Sequence, residues 1–339
     1  MAKKTDDHAW SRVKTHSVAS VTIAFNAERE LSRQMDALLG QTRPLQEMIV
    51  VDSASIDGTA AMIAERYPQV TVLRMPQNLG QAGGWSAGLS YAALEKRYDW
   101  IWTFDNDSVP EAHALEALLS AVDSYGSEVG IVAPLAIHRE TETCYTPYLW
   151  ADGFVKPSDK LVSEPVWFAD LVIASGCLIR GEVVEKIGLP RSDFFIDVVD
   201  FEYCLRARSH GYKIAVVRAA QLGHEIGKGR KIDLLGHKRL WTNHPPFREY
   251  YLSRNLTYLA WSLLPSSGAK RSIARYLAIH AAQVLLFSTN KLQCLIRMIQ
   301  GFHDGLRGRL GIRLRPATDS LERHSTTLNA AKHVEVEKA

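Results

Sequence analysis

The sequence predicts an α/β fold: a mostly parallel mixed sheet flanked by helices, followed by a helical C-terminal appendage. Three observations predict it. Short β-branched apolar runs alternate with stretches of helical period through the first half of the chain, which is the pattern of βαβ units. Turn chemistry punctuates that alternation, with Asp57-Gly58-Thr59 opening one helix and Pro110 standing where another begins. From residue 247 the apolar period is helical throughout. At 339 residues, 46% hydrophobic and 23% charged, the chain can bury a sizeable core, and wholesale disorder, collagen and a multispanning membrane protein are excluded.

Taken in order, strands are expected at 18–25 (VASVTIAF), 47–52 (EMIVVD), 70–74 and 100–104 (WIWTF), separated by helices near 28–40, 57–67, 82–96 and 111–123. Another strand is expected at 129–134. The pattern then loosens into a Pro- and aromatic-bearing region at 145–170, followed by the apolar run 171–179, an amphipathic helix ending near Gly211 and a short strand KIAVV. Two helices, in 247–264 and 272–287, are broken by Pro265-Ser266-Ser267-Gly268. These units give a division into an extension at 1–17, an α/β domain at 18–246, a basic helical region at 247–315 and a loosely ordered tail at 316–339.

Four cysteines at 144, 177, 204 and 294 have neither CxxC spacing nor the density of a disulfide scaffold, and they read as reduced thiols. No stretch approaches the roughly 18 apolar residues of a spanning helix, and the first 17 residues hold no apolar signal-peptide core, so the chain is expected on the cytoplasmic side of any membrane. The net charge of +3 hides an asymmetry: residues 265–315 hold nine Lys or Arg against Asp304, leaving the rest at −5. A solvated face, a homo-oligomer interface and a peripheral, salt-sensitive contact with an anionic membrane each explain such a segment.

Chemistry concentrates at predicted strand ends, where open α/β sheets place ligands. Asp52 can accept hydrogen bonds from a nucleobase or ribose, or close an Asx-turn. The segment Asn78-Leu79-Gly80-Gln81-Ala82-Gly83-Gly84 permits close backbone approach to a phosphate-bearing ligand, or tight helix packing. It is neither the dinucleotide-binding fingerprint, which belongs after the first strand, nor a P-loop, and this weighs against an NAD-dependent oxidoreductase. Asp105-Asn106-Asp107 carries the stronger signal, because two carboxylates released from a rigid strand into a turn can reach one hard divalent cation. Asp200, in an aromatic setting, is a candidate general base, although helix N-termini favour carboxylates anyway. His224 follows a short strand and suits either a structural role or that metal site. A non-catalytic binding module would explain only the basic C-terminal region.

The order Asp52, NLGQAGGWSAG, TFDND, an ASG to FFID to VDFEYCLRAR block and GHEIG resembles the family 2 glycosyltransferases of GT-A, Rossmann-like fold, over about residues 18–255. Within them it is most similar to bacterial rhamnosyltransferases and galactofuranosyltransferases. The resemblance implies that Asp105 and Asp107, with His224, hold Mg²⁺ or Mn²⁺ on the donor diphosphate, and that Asp200 is the catalytic base. It implies a nucleotide-sugar site drawn from Asp52, Asn78, Gly83, Gly84, Asp105, Asn106 and Arg254. In HPPFREYYLSRN, Arg248, Arg254 and Asn255 can add diphosphate contacts, and an arginine on such an aromatic helix equally suits packing or snorkelling. The expected reaction is inverting, metal-dependent hexosyl transfer to a hydroxyl of a glycan or polyprenyl-linked glycan in bacterial surface polysaccharide (lipopolysaccharide, O-antigen) synthesis. The preferred donor is dTDP-rhamnose and the alternative UDP-galactofuranose; nucleic acid is not an expected partner. Val199 stands where an acidic residue often precedes the base, so Asp197 or Glu202 is a candidate to share its role.

Overall fold

A computed structural model describes residues 16–139, 142–145, 147–224, 229–234 and 237–316. Most of the expected N-terminal extension, all but the first residue of the expected tail, and the end of the GHEIG segment lie outside the described residues.

The chain runs β1 (Val18–Ala24), α1 (Glu28–Leu39), β2 (Glu47–Asp52), α2 (Thr59–Arg66), β3 (Thr71–Arg74) and α3 (Gly80–Leu89), which ends in a π-helical turn. It continues with β4 (Trp100–Asp105), β5 (Ser108–Pro110), α4 (Ala114–Tyr125), β6 (Val129–His138), β7 (Thr143–Tyr145), β8 (Leu149–Trp150), β9 (Phe154–Val155), α5 (Asp159–Val162) and β10 (Val166–Ala169). Then come β11 (Leu178–Arg180), α6 (Gly181–Ile187), α7 (Val199–Ser209), β12 (Lys213–His224), β13 (Gly229–Leu234) and β14 (His237–Thr242). Three long helices close the described chain: α8 (Pro246–Tyr258), α9 (Ser267–Phe287) and α10 (Lys291–Leu306).

The central sheet has the order β10-β12-β6-β11-β4-β1-β2-β3. Its β4-β1-β2-β3 half is parallel, as the alternation predicts, whereas β11 runs antiparallel to both of its neighbours and makes the other half mixed. Strands β1, β2 and β4 of the parallel half are covered on both faces, whereas the edge strand β3 alternates between half-buried and exposed residues. Ala19, Val21, Ile49, Val51 and Ile101 enter one core with α3, α6 and α7, while Val18, Val50, Trp100, Trp102 and Phe104 enter the other with α1, α2 and α4. Burial on both sides is why these strands read as unbroken apolar runs rather than as alternating ones.

The C-terminal helices share the first of these cores through Leu256 of α8 and Ile273 and Leu277 of α9. Here α10 lies close on α8, since a Cβ on Gly301 would stand 2.2 Å from the Tyr250 carbonyl oxygen and one on Gly305 2.5 Å from that of Arg254.

The sheet register sets up the site. Ala24 pairs with Asp52 and Ile23 with Asp105, so both aspartates leave the same edge of the sheet. Across the sheet, β12 runs parallel to β6 and ends with His224 beside His138. The three-residue β5, absent from the sequence reading, pairs Ser108 with His224 and ties the turn after β4 to the end of β12.

Candidate active site

The turn after β4 is held from several directions. Gln34, fully buried on α1, donates its side-chain amide to the carbonyls of Asp105 and Ser108, each at 2.6 Å. The Ser175 hydroxyl receives the Asp105 backbone N–H at 3.0 Å and lies 2.6 Å from that of Ser108. Ser108 in turn lies 2.7 Å from His224 Nδ1, which is 3.1 Å from an Asp107 carboxylate oxygen. Gln81 at the start of α3 donates to the Asp105 carboxylate at 3.0 Å. The ligand atoms of Asp105, Asp107 and His224 all lie within 4.8 Å of one another. Burial, reinforced by the charge of Asp107, pushes the Asp105 carboxyl above its ordinary range.

That arrangement fits a divalent cation. Asp107 Oδ1 is buried and, although His224 Nδ1 approaches it to 3.1 Å, accepts no hydrogen bond, a cost that a cation would offset. Two carboxylate oxygens with one imidazole nitrogen suit Mg²⁺ or Mn²⁺, leaving coordination positions for substrate oxygens.

Opposite this cluster stands the loop that opens α7. Phe195, Asp197 and Val198 have φ of 64°, 63° and 68°, a region costly for a β-branched residue, so the surroundings must impose it. Asn255 donates its side-chain amide to the carbonyls of Phe194, Ile196 and Asp197 at 2.9–3.0 Å. Arg254 donates to those of Asp193, Phe194 and Gly311 at 2.6–3.0 Å. Because this buried guanidinium satisfies three carbonyls in a fixed fork, Arg254→Lys is expected to cost about 2–4 kcal/mol. Urea unfolding measures it, and a change within error of zero would show that the fork is not needed.

A cavity of about 580 Å³ separates cluster and loop, a volume suited to a small organic ligand. Asp200 lines it, held by the backbone N–H of Phe201 at 2.8 Å. Its carboxyl is pushed up to about 7, first by burial and then by the charges of Asp105 and Asp197. The neighbouring carboxylates are otherwise engaged: Asp197 pairs with Arg248 at 2.5 Å, and Glu202 with Arg206 at 2.9 Å. Burial likewise holds the imidazole of His244, another wall residue, down at about 4. On the Asp200 side the wall is aromatic, with Phe154 5.8 Å from Phe201, 5.7 Å from Tyr276 and 5.6 Å from Tyr148 between ring centroids.

The structure brings Asn78, Asp105, Asn106, Asp107, Asp200 and His224 around this one cavity. Asp52 lies at its border, beside the lining residue Ser53. Its Oδ1 accepts from the Ser55 N–H at 2.9 Å, the Asx-turn alternative, and its buried Oδ2 accepts no hydrogen bond and lies 3.8 Å from Arg74.

Four residues expected at the donor site lie off the cavity lining. Gly83 and Gly84 do not line the cavity; a Cβ on Gly83 would stand 2.4 Å from Leu79 Cβ and one on Gly84 2.8 Å from Ile23 Cγ2, so these glycines seat α3 against its neighbours. Arg254 is wholly buried behind the loop, spent on carbonyls. Asn255 is spent in the same way, and Arg248 is the one of the three that lines the cavity. Glycine at 80 is required by the site itself, with φ +71° and room for a Cβ only 2.2 Å from the Phe195 carbonyl oxygen. Sequence reasoning missed Gln34, Gln81, Ser108, Ser175 and the aromatic wall. Gln81, Ser175 and, in the wall, Phe201 stand inside segments whose other residues drew notice.

Known proteins were compared with this geometry. The glycosyl transferase family 2 model matches residues 20–188. The dTDP-rhamnosyl transferase RfbF of Shigella flexneri is 24% identical over 298 residues, covering 87% of this chain and 97% of that protein. The galactofuranosyltransferase GlfT1 of Mycobacterium tuberculosis is 26% identical over 270 residues, covering 77% and 86%. Among solved structures, GalNAc-T7 with UDP, GalNAc and Mn²⁺ superposes with a TM-score of 0.58 at 15% identity, over 87% of this chain and 56% of the other. TarS 1–349 of S. aureus gives 0.52 at 14%, over 86% and 82%. The matched segment supplies the edge of the sheet that carries Asp52, Asp105 and Asp107, the relatives extend the likeness across the rest of the cavity, and the superpositions identify the architecture as GT-A. The chain is a family 2 glycosyltransferase.

Proposed function

We propose that this enzyme transfers a hexosyl group from a nucleoside diphosphate to a hydroxyl of a glycan or lipid-linked glycan, with inversion and with a divalent cation held by Asp105, Asp107 and His224. The observation that carries the reading is that a hard-cation donor set and a carboxyl poised near neutrality face each other across one cavity. When bound, the cation would neutralise charge growing on the departing diphosphate. Asp200 accepts the proton of the acceptor hydroxyl as its oxygen bonds to the anomeric carbon and the bond from that carbon to the diphosphate oxygen breaks. Gln81 fixes the orientation of Asp105, Arg248 is placed to meet a phosphate, and the aromatic wall offers ring faces to a sugar and keeps out water.

The preferred donor is dTDP-rhamnose, supported by the near-complete coverage of a dTDP-rhamnosyl transferase. UDP-galactofuranose is the alternative, supported by the likeness to a galactofuranosyltransferase. Turnover of each donor with glycan acceptors separates them. Chelation with EDTA is expected to abolish transfer and Mg²⁺ or Mn²⁺ to restore it, whereas full activity in chelator would exclude the metal role. The pH profile provides a further test. Asp200 serves as base only when ionised, so kcat/KM is expected to fall about tenfold per unit as pH drops below its pKa. A cation on Asp105 removes part of what raises that pKa, which places the inflection below about 7. A profile flat down to about pH 4 would show that no raised carboxyl limits the rate.

A further inference from the structure

Nine of the sixteen large hydrophobic side chains exposed among the described residues lie on α9 and α10. On α10 they form one stripe, Leu292, Ile296, Ile299, Phe302 and Leu306, at successive steps of four, three, three and four residues, with exposures of 72%, 45%, 70%, 36% and 42%. The opposite face, Cys294, Met298, Gly301 and Gly305, is the one buried, its glycines against α8. This helix therefore has two apolar faces, and the domain covers one. On α9, Ile279, Leu285 and Leu286 extend the uncovered surface.

Charge identifies the occupant. At 100° per residue, Lys291 and Arg307 fall on either side of the α10 stripe. Arg271, Arg275, Arg309 and Arg313 are exposed in the same segment, whose net charge is +8. A second copy of the chain would set this charge against itself, and a nucleic acid would leave the apolar stripe in water. An anionic bilayer accepts both parts, with apolar side chains at the boundary of headgroups and acyl chains and cations at lipid phosphates. No helix among the described residues is long and apolar enough to cross a membrane, so the contact lies in the surface plane.

We infer that the outer face of α9 and α10 is a docking surface for an anionic lipid bilayer. The face runs up to the catalytic cavity, because Tyr276 of α9 lines that cavity and is itself 39% exposed. Docking therefore holds the cavity mouth near the lipid surface. The docking stands apart from the donor and acceptor proposed above, and its test needs neither.

The test is flotation of the full chain with phosphatidylcholine vesicles containing or lacking phosphatidylglycerol, comparing wild type with Leu292→Asp/Ile299→Asp. Wild type is expected to float with the anionic vesicles and to be released by salt. The double variant is expected to float at least about tenfold less, with an unchanged melting temperature because both side chains already face water. Failure of wild type to float, or equal flotation of the variant, would overturn the inference. A dimer in sedimentation velocity that the variant dissociates, without flotation of wild type, would overturn it in favour of a second copy.

Discussion

Asp200→Asn is expected to lower kcat by about 10²–10⁴ while leaving donor affinity within a few fold, because shape and hydrogen-bonding reach survive and the proton acceptor does not. The same variant is expected to be more stable than wild type in mild alkali. The Asp200 carboxyl titrates at about 7 in the folded protein against 3.8 unexposed to these surroundings. A folded pKa above the unfolded one means that the native state binds the proton more tightly. The stability contributed is full below about pH 4 and is lost as pH rises through about 7. The amide never ionises and avoids that loss, so its melting temperature should exceed that of wild type at about pH 8, with the gap closing toward about pH 4. Calorimetry at the two pH values, beside single-turnover kinetics, separates loss of a base from damage to the fold. Turnover within tenfold of wild type would remove Asp200 from the role.

The second large effect concerns the metal cluster. Asp105→Ala with Asp107→Ala is expected to reduce kcat/KM by about 10³ or more, and to abolish the dependence of nucleotide-sugar binding on divalent cation. The sign of a control makes this specific. Without cation, two carboxylates repel a diphosphate, so in chelator the double variant should bind the nucleotide at least as well as wild type. Titration calorimetry in EDTA and in Mn²⁺ reads both halves. If wild type binds as tightly in EDTA as in Mn²⁺, these carboxylates do not act through a cation.

The parallel half of the sheet was legible because strands buried on both faces leave unbroken apolar runs, and Asp52 and Asp105 end two of them. Asp107 was legible because it stands two residues past Asp105 beyond an apolar strand, and Asp200 and His224 because they fall in ordered motif segments further along the chain. Gln34 was not, since a glutamine on an amphipathic helix gives no sign that its amide spans 71 residues to Asp105. Serine gives still less, and Ser175 lies 70 residues from the backbone it supports. Arg254 was left between two readings for a related reason: an arginine beside an asparagine on an aromatic helix is the same sequence whether it faces a phosphate or a backbone carbonyl. The glycines of 80–88 announce close approach without saying to what; they approach the Phe195 carbonyl, Leu79 and the strands of the sheet.

The long reach of these contacts also fixes an order of assembly. Ser108 meets His224 across 116 residues, and the Arg254 and Asn255 bonds to the strained loop span 58–61 residues. Contacts between distant segments carry the largest loop-closure cost and form late. On a ribosome, the parallel half of the sheet can pair and cover itself with helices while α8 is still in the exit tunnel. The loop bearing Asp200 then lacks the Arg254 and Asn255 bonds that hold its left-handed residues. The wall of the cavity that carries Asp200 is therefore completed only when α8 docks behind it.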